Sequence, residues 1–283
     1  MPWFKRQQSY VPVRSVRRRS VQADGKFMRC PKCGEILYKA DLENNLFVCA
    51  KCRHHFRIGA RQRLEYIADT GTFEERHEGL RSVDPLKFRA GSVSYADKIT
   101  ESQAGTGLEE AAISGRCTIG GVNVSLAITD SFFMMGSMGS VVGEKITRTI
   151  EDSITEKLPL VCVSGSGGGA RMQEGTLSLM QMAKISSALA QLHEQRLPYL
   201  SVLTDPTMGG TAASFGMMGD VILAEPGAMI GFAGDRTRDA IRQKLPEGFQ
   251  TAEFLLEKGF IDLVVPRVEM KETVACLLTL LAA

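Results

Sequence analysis

Four cysteines and two glycine-rich segments are the chain's chemically suggestive features. The cysteines form Cys30-x2-Cys33 and Cys49-x2-Cys52, with 15 residues between the pairs. That is the spacing of a zinc ribbon. Two thiolates across a tight knuckle share one metal, and two knuckles place four soft ligands at tetrahedral corners. This suits Zn2+ and leaves no open position for a substrate, so the metal is expected to be structural. Gly34 gives the first knuckle its conformational freedom. His54 and His55 follow closely, but four cysteines complete the set, and both histidines are read as surface residues. The alternative is a pair of disulfides. Against it, Cys117, Cys162 and Cys276 are scattered in apolar stretches, as reduced core residues of a cytosolic protein would be.

The glycine segments are Ser164-Gly165-Ser166-Gly167-Gly168-Gly169-Ala170-Arg171-Met172-Gln173-Glu174-Gly175 and Asp205-Pro206-Thr207-Met208-Gly209-Gly210-Thr211. Neither is a familiar nucleotide loop. A P-loop counted from Gly165 meets Ala170 and Arg171 where glycine and lysine are required. A dinucleotide fingerprint through Gly167 and Gly169 meets Met172 at its third glycine. Residues 212–216 come near a nucleophile elbow, yet the last histidine of the chain is His193, upstream of Ser214, whereas that fold places its histidine after the serine. What remains is backbone chemistry. Glycine lets a ligand approach the main chain, and two N–H groups converging on one oxygen make an oxyanion hole. One such turn alone would be read as tight packing; two after neighbouring strands favour a site.

These segments need elements to hold them. Residues 36–38 and 46–48 are read as ribbon strands. Residues 61–68 form a short amphipathic helix, and 74–113 are a weakly patterned connection with brief helices. Gly120-Gly121 marks a hairpin between 117–119 and 122–129. Strands and helices then alternate. Val142, Ile146, Ile150, Ile154 and Leu158 stripe a helix over 140–158, and Leu179, Met182, Ile185, Leu189 and Leu192 stripe another over 176–196. Buried strands are expected at 160–163, 199–204, 221–224 and 261–265. Helices are expected at 212–218, 251–258 and 270–281. The alternation argues an α/β domain with parallel pairing and right-handed crossovers.

Composition narrows the classes. The 283 residues are 44% hydrophobic and 23% charged, a globular balance with formal net charge +2. The charge is divided. Residues 1–63 hold 15 of the 34 basic and 4 of the 32 acidic side chains, a local +11, which leaves −9 for the rest. No apolar run approaches a membrane span, and the basic N-terminus lacks the apolar core of a secretory signal. Residues 1–25 are read as a flexible basic arm in preference to a transit peptide. The ribbon with its basic flanks is either a nucleic-acid binder or a docking module, and these residues alone do not choose.

Cys30 to Cys52, Met138-Gly139-Ser140-Val141-Val142-Gly143-Glu144-Lys145, Ser166 to Gly175 and Asp205 to Gly210 together closely resemble the β subunit of the bacterial-type acetyl-CoA carboxylase carboxyltransferase. The likeness spans about residues 26–280, and the Trp3-Phe4 start also fits. It implies a crotonase-type (ClpP/crotonase) α/β core of ββα units at 58–283, behind a zinc ribbon at 26–57. It implies a cytoplasmic enzyme of fatty acid synthesis that moves a carboxyl group from carboxybiotin, carried on a biotin carboxyl carrier protein charged by biotin carboxylase, to acetyl-CoA, giving malonyl-CoA. The active site would lie between this chain and an α subunit in an α2β2 assembly, with no membrane. By the family pattern, the N–H groups of Gly209 and Gly210 would hold the enolate oxygen, with Gly168 and Gly169 lining the other side. Gly136, Ser137, Gly139 and Ser140 at a helix start, with Arg171, are carried as candidates for binding CoA. Arg171 and Glu174 read somewhat better as an ion pair bracing the loop. Methionines 134, 135, 138, 217 and 218 are read as core filler and subunit interface. No side-chain base stands in the turns; released biotin would take the substrate proton. A nucleic-acid-binding ribbon, with RNA or DNA as partner, is the alternative or second activity. A self-sufficient hydratase lacks its acidic pair.

Overall fold

The computed structural model describes residues 26–233 and 245–281, so the basic arm expected at 1–25 lies outside the described residues. Its centre is an eight-stranded sheet. Strands β6 (Ala112–Ile119) and β7 (Val122–Thr129) form the antiparallel hairpin turned by Gly120 and Gly121, both with positive φ. From β7 the pairing becomes parallel, through β8 (Leu160–Ser166), β9 (Tyr199–Met208), β10 (Val221–Ala224) and β12 (Leu263–Val264). Two-residue strands β3 (Glu74–Glu75) and β11 (Ile230–Gly231) pair with β6 and β9. Strands β8 and β9 are buried along nearly their whole length because helices cover the sheet. The crossovers are α4 (Ser140–Glu156), after β7, and α5 (Thr176–Glu194), after β8. Val142, Ile146 and Ile150 of α4 and Ile185, Leu189 and Leu192 of α5 are buried in the main core.

Both glycine segments therefore lie at the carboxyl ends of adjacent parallel strands, where open α/β sheets bind ligands. Strand β9 is longer than its apolar run implies. It continues through Asp205, Pro206 and Thr207, so the second turn begins only at Gly209. The helix expected at 212–218 is a π-helical turn, Ala212–Gly216. The stripe on α5 also starts late, since Leu179 is exposed and the helix buries its apolar side only from Ile185 onward.

The connection expected at 74–113 contains a full helix, α3 (Tyr95–Thr106). Only Tyr95 and Ile99 of it are buried, so no apolar stripe announced it. Its ends were nevertheless legible: Ser94 and Asp97 form a capping box, and Gly107 closes it in the left-handed region. Small strands β4 (Arg89–Ala90) and β5 (Val93–Ser94) precede it. Among the free cysteines, Cys117 and Cys162 are buried as expected, whereas Cys276 is exposed on α7 (Arg267–Leu281), which follows the short helix α6 (Ala252–Glu257).

The N-terminal part has a small core of its own. Strands β1 (Phe27–Arg29) and β2 (Ile36–Tyr38) pair, helix α1 (Lys39–Asn44) follows, and Leu42, Phe47, Phe56 and Ile58 pack beside the cysteines. No strand forms at 46–48: Leu46 and Phe47 have φ +51 and +57, and Val48 makes only an isolated bridge with His55. This part is tied to the sheet domain by buried charge. Arg267, at the start of α7, donates to the Leu46 and Phe56 carbonyls (2.9 Å each) and to both oxygens of Glu225 (2.8 Å each). Arg63, on helix α2 (Ala60–Ile67), donates to the same carboxylate at 2.7 Å. His55 is buried, contrary to its reading as a surface residue. Its Nε2 accepts the Arg267 N–H, which puts the ring proton on Nδ1, facing the Arg53 carbonyl. No helix among the described residues is long and apolar enough to cross a membrane.

Burial pushes the Glu225 carboxyl up, but the charge of Arg63 and the hydrogen bonds and charge of Arg267 outweigh it and hold the group well below the usual carboxylate range. An unfolded carboxyl protonates near pH ~4.3, so the stability from this group is whole above that value and is lost as pH falls toward the folded value. Glu225→Gln leaves two guanidinium groups without their counter-charge and is expected to lose about 3–5 kcal/mol in urea unfolding. Its melting temperature should also fall less steeply with acid than that of the parent.

Candidate active site and metal centre

The four expected cysteines come together. Their Sγ atoms all lie within 4.8 Å of one another, with Cys30 and Cys52 at 3.6 Å and Cys33 and Cys49 at 3.8 Å. A tetrahedron with Zn–S of about 2.3 Å has edges of about 3.8 Å, so the quartet fits one zinc ion. The Gly34 N–H closes the first knuckle on the Cys30 carbonyl, with φ +75 at Gly34, and the Arg53 N–H closes the second on Cys49. All four positions are filled by protein sulfur, so the site can hold a fold together but cannot activate a substrate.

At the carboxyl ends of β8 and β9 the two glycine turns meet. A side chain on Gly209 would put its Cβ 2.9 Å from the Gly169 Cα, and one on Gly210 would come within 3.2 Å of the Ala170 nitrogen. Gly169 and Gly209 both have φ +59, a region costly for other residues. The hydrogen bonds then sort the N–H groups. Gly209 donates to the Gly231 carbonyl at 2.9 Å, and Gly168 donates to Met135 at 2.9 Å, so neither of these two expected residues has a donor to offer. The Gly209 carbonyl accepts from Ala213. Across a trans peptide the N–H points opposite to the C=O, so the Gly210 N–H is aimed out of the turn. Likewise the Gly169 carbonyl accepts from Met138 at 2.7 Å, which aims the Ala170 N–H away from Met138. Among the described residues no acceptor takes the N–H of Gly169, Ala170 or Gly210. Ala170 was not among the expected site residues, because only the strand neighbours reveal which peptides are pinned.

The expected ligand contacts at the start of α4 are already filled from inside. Gly136, Ser137 and Gly139 are buried, and the Ser140 N–H donates to the Glu174 carboxylate at 2.6 Å. A Cβ on Gly139 would strike Glu174 and Arg171, and one on Gly136 would strike the Gly165 carbonyl. The positive end of α4 is thus neutralised by Glu174, not left for a phosphate. Arg171 has no exposed side-chain surface. Its guanidinium grips Glu110 with both Nη atoms (2.6 and 3.0 Å), the Ser137 carbonyl at 2.9 Å and Oγ at 3.2 Å, and the Tyr95 hydroxyl at 3.0 Å. Tyr95 in turn donates to Glu174 at 2.5 Å. Burial raises the Glu110 carboxyl, but Arg171, Ser82 and the Ala111 N–H bring it below its ordinary value. Arg171 and Glu174 are the brace under the first turn. Glu110 and Tyr95, 61 and 76 positions from Arg171, carried no motif that could have announced them.

The methionines divide. Met138 is fully buried and Met134 partly so, whereas Met135 and Met218 are exposed. His193 is exposed on α5, away from both turns. Two outcomes are expected of variants. Cys33→Ser should lose bound zinc, read as metal per chain, and loosen the small N-terminal core. Arg171→Met strands two carboxylates in the interior and is expected to cost about 3–5 kcal/mol in urea unfolding.

Residues 60–244 match the family model of the carboxyl transferase domain, and residues 27–52 match that of the acetyl-CoA carboxylase zinc finger domain. Acetyl-coenzyme A carboxylase carboxyl transferase subunit beta of Prochlorococcus marinus (strain NATL2A) is 51% identical over 98% of this chain and 94% of its own length. The subunit of the same name from Clostridium botulinum (strain Hall) is 54% identical over 91% of this chain and 88% of its own. Among solved structures, the fold is shared with transcarboxylase 12S (TM-score 0.64, 24% identity), covering 78% of this chain but only 41% of that longer one. A Pseudomonas malonate decarboxylase hetero-tetramer shares it over 78% of this chain and 82% of the matched chain (TM-score 0.63, 22% identity). With its crotonase-like α/β core, its four-cysteine ribbon and its paired glycine turns, the chain belongs to the acetyl-CoA carboxylase carboxyl transferase subunit beta family.

Proposed function

We propose that the two glycine turns form the oxyanion site at which this chain carries out carboxyl transfer to acetyl-CoA, yielding malonyl-CoA. The observation that carries this reading is the pair of N–H groups of Ala170 and Gly210, on turns in contact and without an acceptor among the described residues, with Gly169 beside them. Proton loss from the acetyl methyl turns the thioester carbonyl oxygen into an enolate oxygen. Formation of the new C–C bond to the carboxyl carbon restores the carbonyl. Charge therefore rises on that oxygen only between the two events, and donors fixed before the reaction stabilise it without reorganising. Gly209 and Gly168 shape the turns and spend their own N–H groups inside the protein.

The titratable groups of the turns are committed elsewhere. Arg171 and Glu174 are locked in the brace, and Asp205 accepts from Arg57 and from the Met229 N–H. The proton acceptor thus lies outside these turns, consistent with its arriving with the carboxyl donor. That donor is carboxybiotin, presented by a biotin carboxyl carrier protein, and the opposite wall of the site is supplied by an α subunit in an α2β2 assembly. Supporting this, apolar side chains are exposed on both flanks of the turns: Met172, Leu177, Leu179 and Met180 on one, Met218 and Phe232 on the other. The ribbon holds a structural zinc through Cys30, Cys33, Cys49 and Cys52, and the setting is cytoplasmic. No likeness found favours nucleic-acid binding as the ribbon's role.

The assay is the reverse reaction. The chain with its α partner should convert malonyl-CoA and biocytin to acetyl-CoA and carboxybiocytin. Gly210→Val drives its side chain against Ala170 and should lower kcat by roughly 10²–10³, as loss of one oxyanion donor does, while the complex still assembles. Normal turnover in that variant would sink the oxyanion assignment.

A further inference from the structure

The second glycine turn is held by a strand too short to hold itself. Strand β11 has two residues, pairing Ile230 with Thr207 and Gly231 with Met208. Yet its Gly231 carbonyl is the acceptor that anchors the Gly209 N–H. Any slip or tilt of β11 moves that oxygen, shifts the Met208–Gly209 peptide and, through the backbone of Gly209, displaces the Gly210 N–H on the next peptide. Something must set where β11 begins.

We propose that Asp205 is a positioning residue for the Gly210 donor, acting through the start of β11. Its Oδ1 accepts the Met229 N–H at 3.2 Å, one residue before β11, while the Met229 carbonyl takes the Thr207 N–H at 2.9 Å. Asp205 thus supplies from a side chain the acceptor that a longer strand would supply from its backbone. The second oxygen accepts from Arg57 Nε at 2.8 Å, a pair whose arginine is half exposed. On the far side of β11, the Ile230 N–H is held by the Gln250 carbonyl. Gly231 itself has no room for a side chain, since a Cβ there would lie 2.2 Å from Gln250 Nε2. Asp205 touches no reacting atom. It fixes the strand that fixes the turn, and misplacing a catalytic group by an ångström can cost about 10²-fold in rate.

This rests on the oxyanion reading, and the test separates the two. Steady-state kcat and KM for malonyl-CoA are measured in the reverse reaction, on the complex with the α partner. Asp205→Ala removes the acceptor and is expected to lower kcat roughly 10- to 100-fold with KM within about two-fold. Asp205→Asn keeps an oxygen for Met229 and should restore kcat to near the parent value. Arg57→Ala, which removes only the exposed partner, should leave kcat unchanged. Parent-like kcat in Asp205→Ala overturns the proposal. So does an equal loss in the Ala and Asn variants, which would assign the effect to charge, and so does a change confined to KM. Should Asp205→Ala fail to fold by circular dichroism and zinc content, Asp205→Asn decides. Folded and active, it supports the positioning role; folded with a ten-fold or greater loss, it refutes it. An inactive Gly210→Val beside a fully active Asp205→Ala leaves the oxyanion site standing and removes only Asp205. An active Gly210→Val removes the site.

Discussion

The structure turns on one contact, the backbone-to-backbone meeting of Gly169 and Gly209 at the carboxyl ends of adjacent parallel strands. A single methyl group on Gly209 would land 2.9 Å from the Gly169 Cα. The contact requires residues without side chains, in a left-handed conformation, on strands held in fixed register. Parallel pairing of β8 with β9, from Leu160 and Tyr199 up to Ser166 and Thr207 with a bulge after Ser164, supplies that register. The crossover through α5 then carries the chain away, so that both turns open at the same edge. Among the described residues, the N–H groups left over by this arrangement are those of Gly169, Ala170 and Gly210.

Around that contact the protein has buried charge where an apolar core would have been simpler. Arg171 lies with Glu110 and Glu174 at zero to 1% side-chain exposure. Such clusters add little net stability over a well-packed apolar substitute, but removing one member is costly. Their value is geometric. Arg171 gathers Ser137, Tyr95 and Glu110 from three distant parts of the chain, and Glu174 caps α4. A guanidinium with fixed donor directions sets angles as well as distances, which apolar packing does less sharply. The same device recurs at Glu225, where Arg63 and Arg267 lock the four-cysteine N-terminal part against the sheet. The ribbon is therefore more than a basic appendage. Its backbone carbonyls at Leu46 and Phe56 are ligands of Arg267, and Arg57 reaches the strand that ends in the second turn.

Local patterns were legible wherever the physics is local. The cysteine spacing, the Gly120-Gly121 hairpin and the apolar stripe of α4 each depend on residues close in sequence, and each formed where its pattern lay. Helix α3 escaped because its burial is confined to two residues, although its capping box was written in Ser94 and Asp97. Strand β9 was cut short because Asp205 and Pro206 read as turn residues, while pairing with β8 and β11 extended it through them.

By itself the sequence determined the metal ligands, the α/β alternation and the two segments in which glycine is required. It did so because thiolate spacing, hydrophobic period and tolerance of positive φ are properties of short stretches. Which N–H groups are free was decided only by the tertiary structure. Gly209 and Gly210 are neighbours of the same type, yet one is bound to Gly231 and the other is not. Arg171 could have faced a ligand until Glu110 and Tyr95 closed on it. A hydrogen-bond donor is defined by what has not already taken it, and in this protein the takers lie far away in sequence.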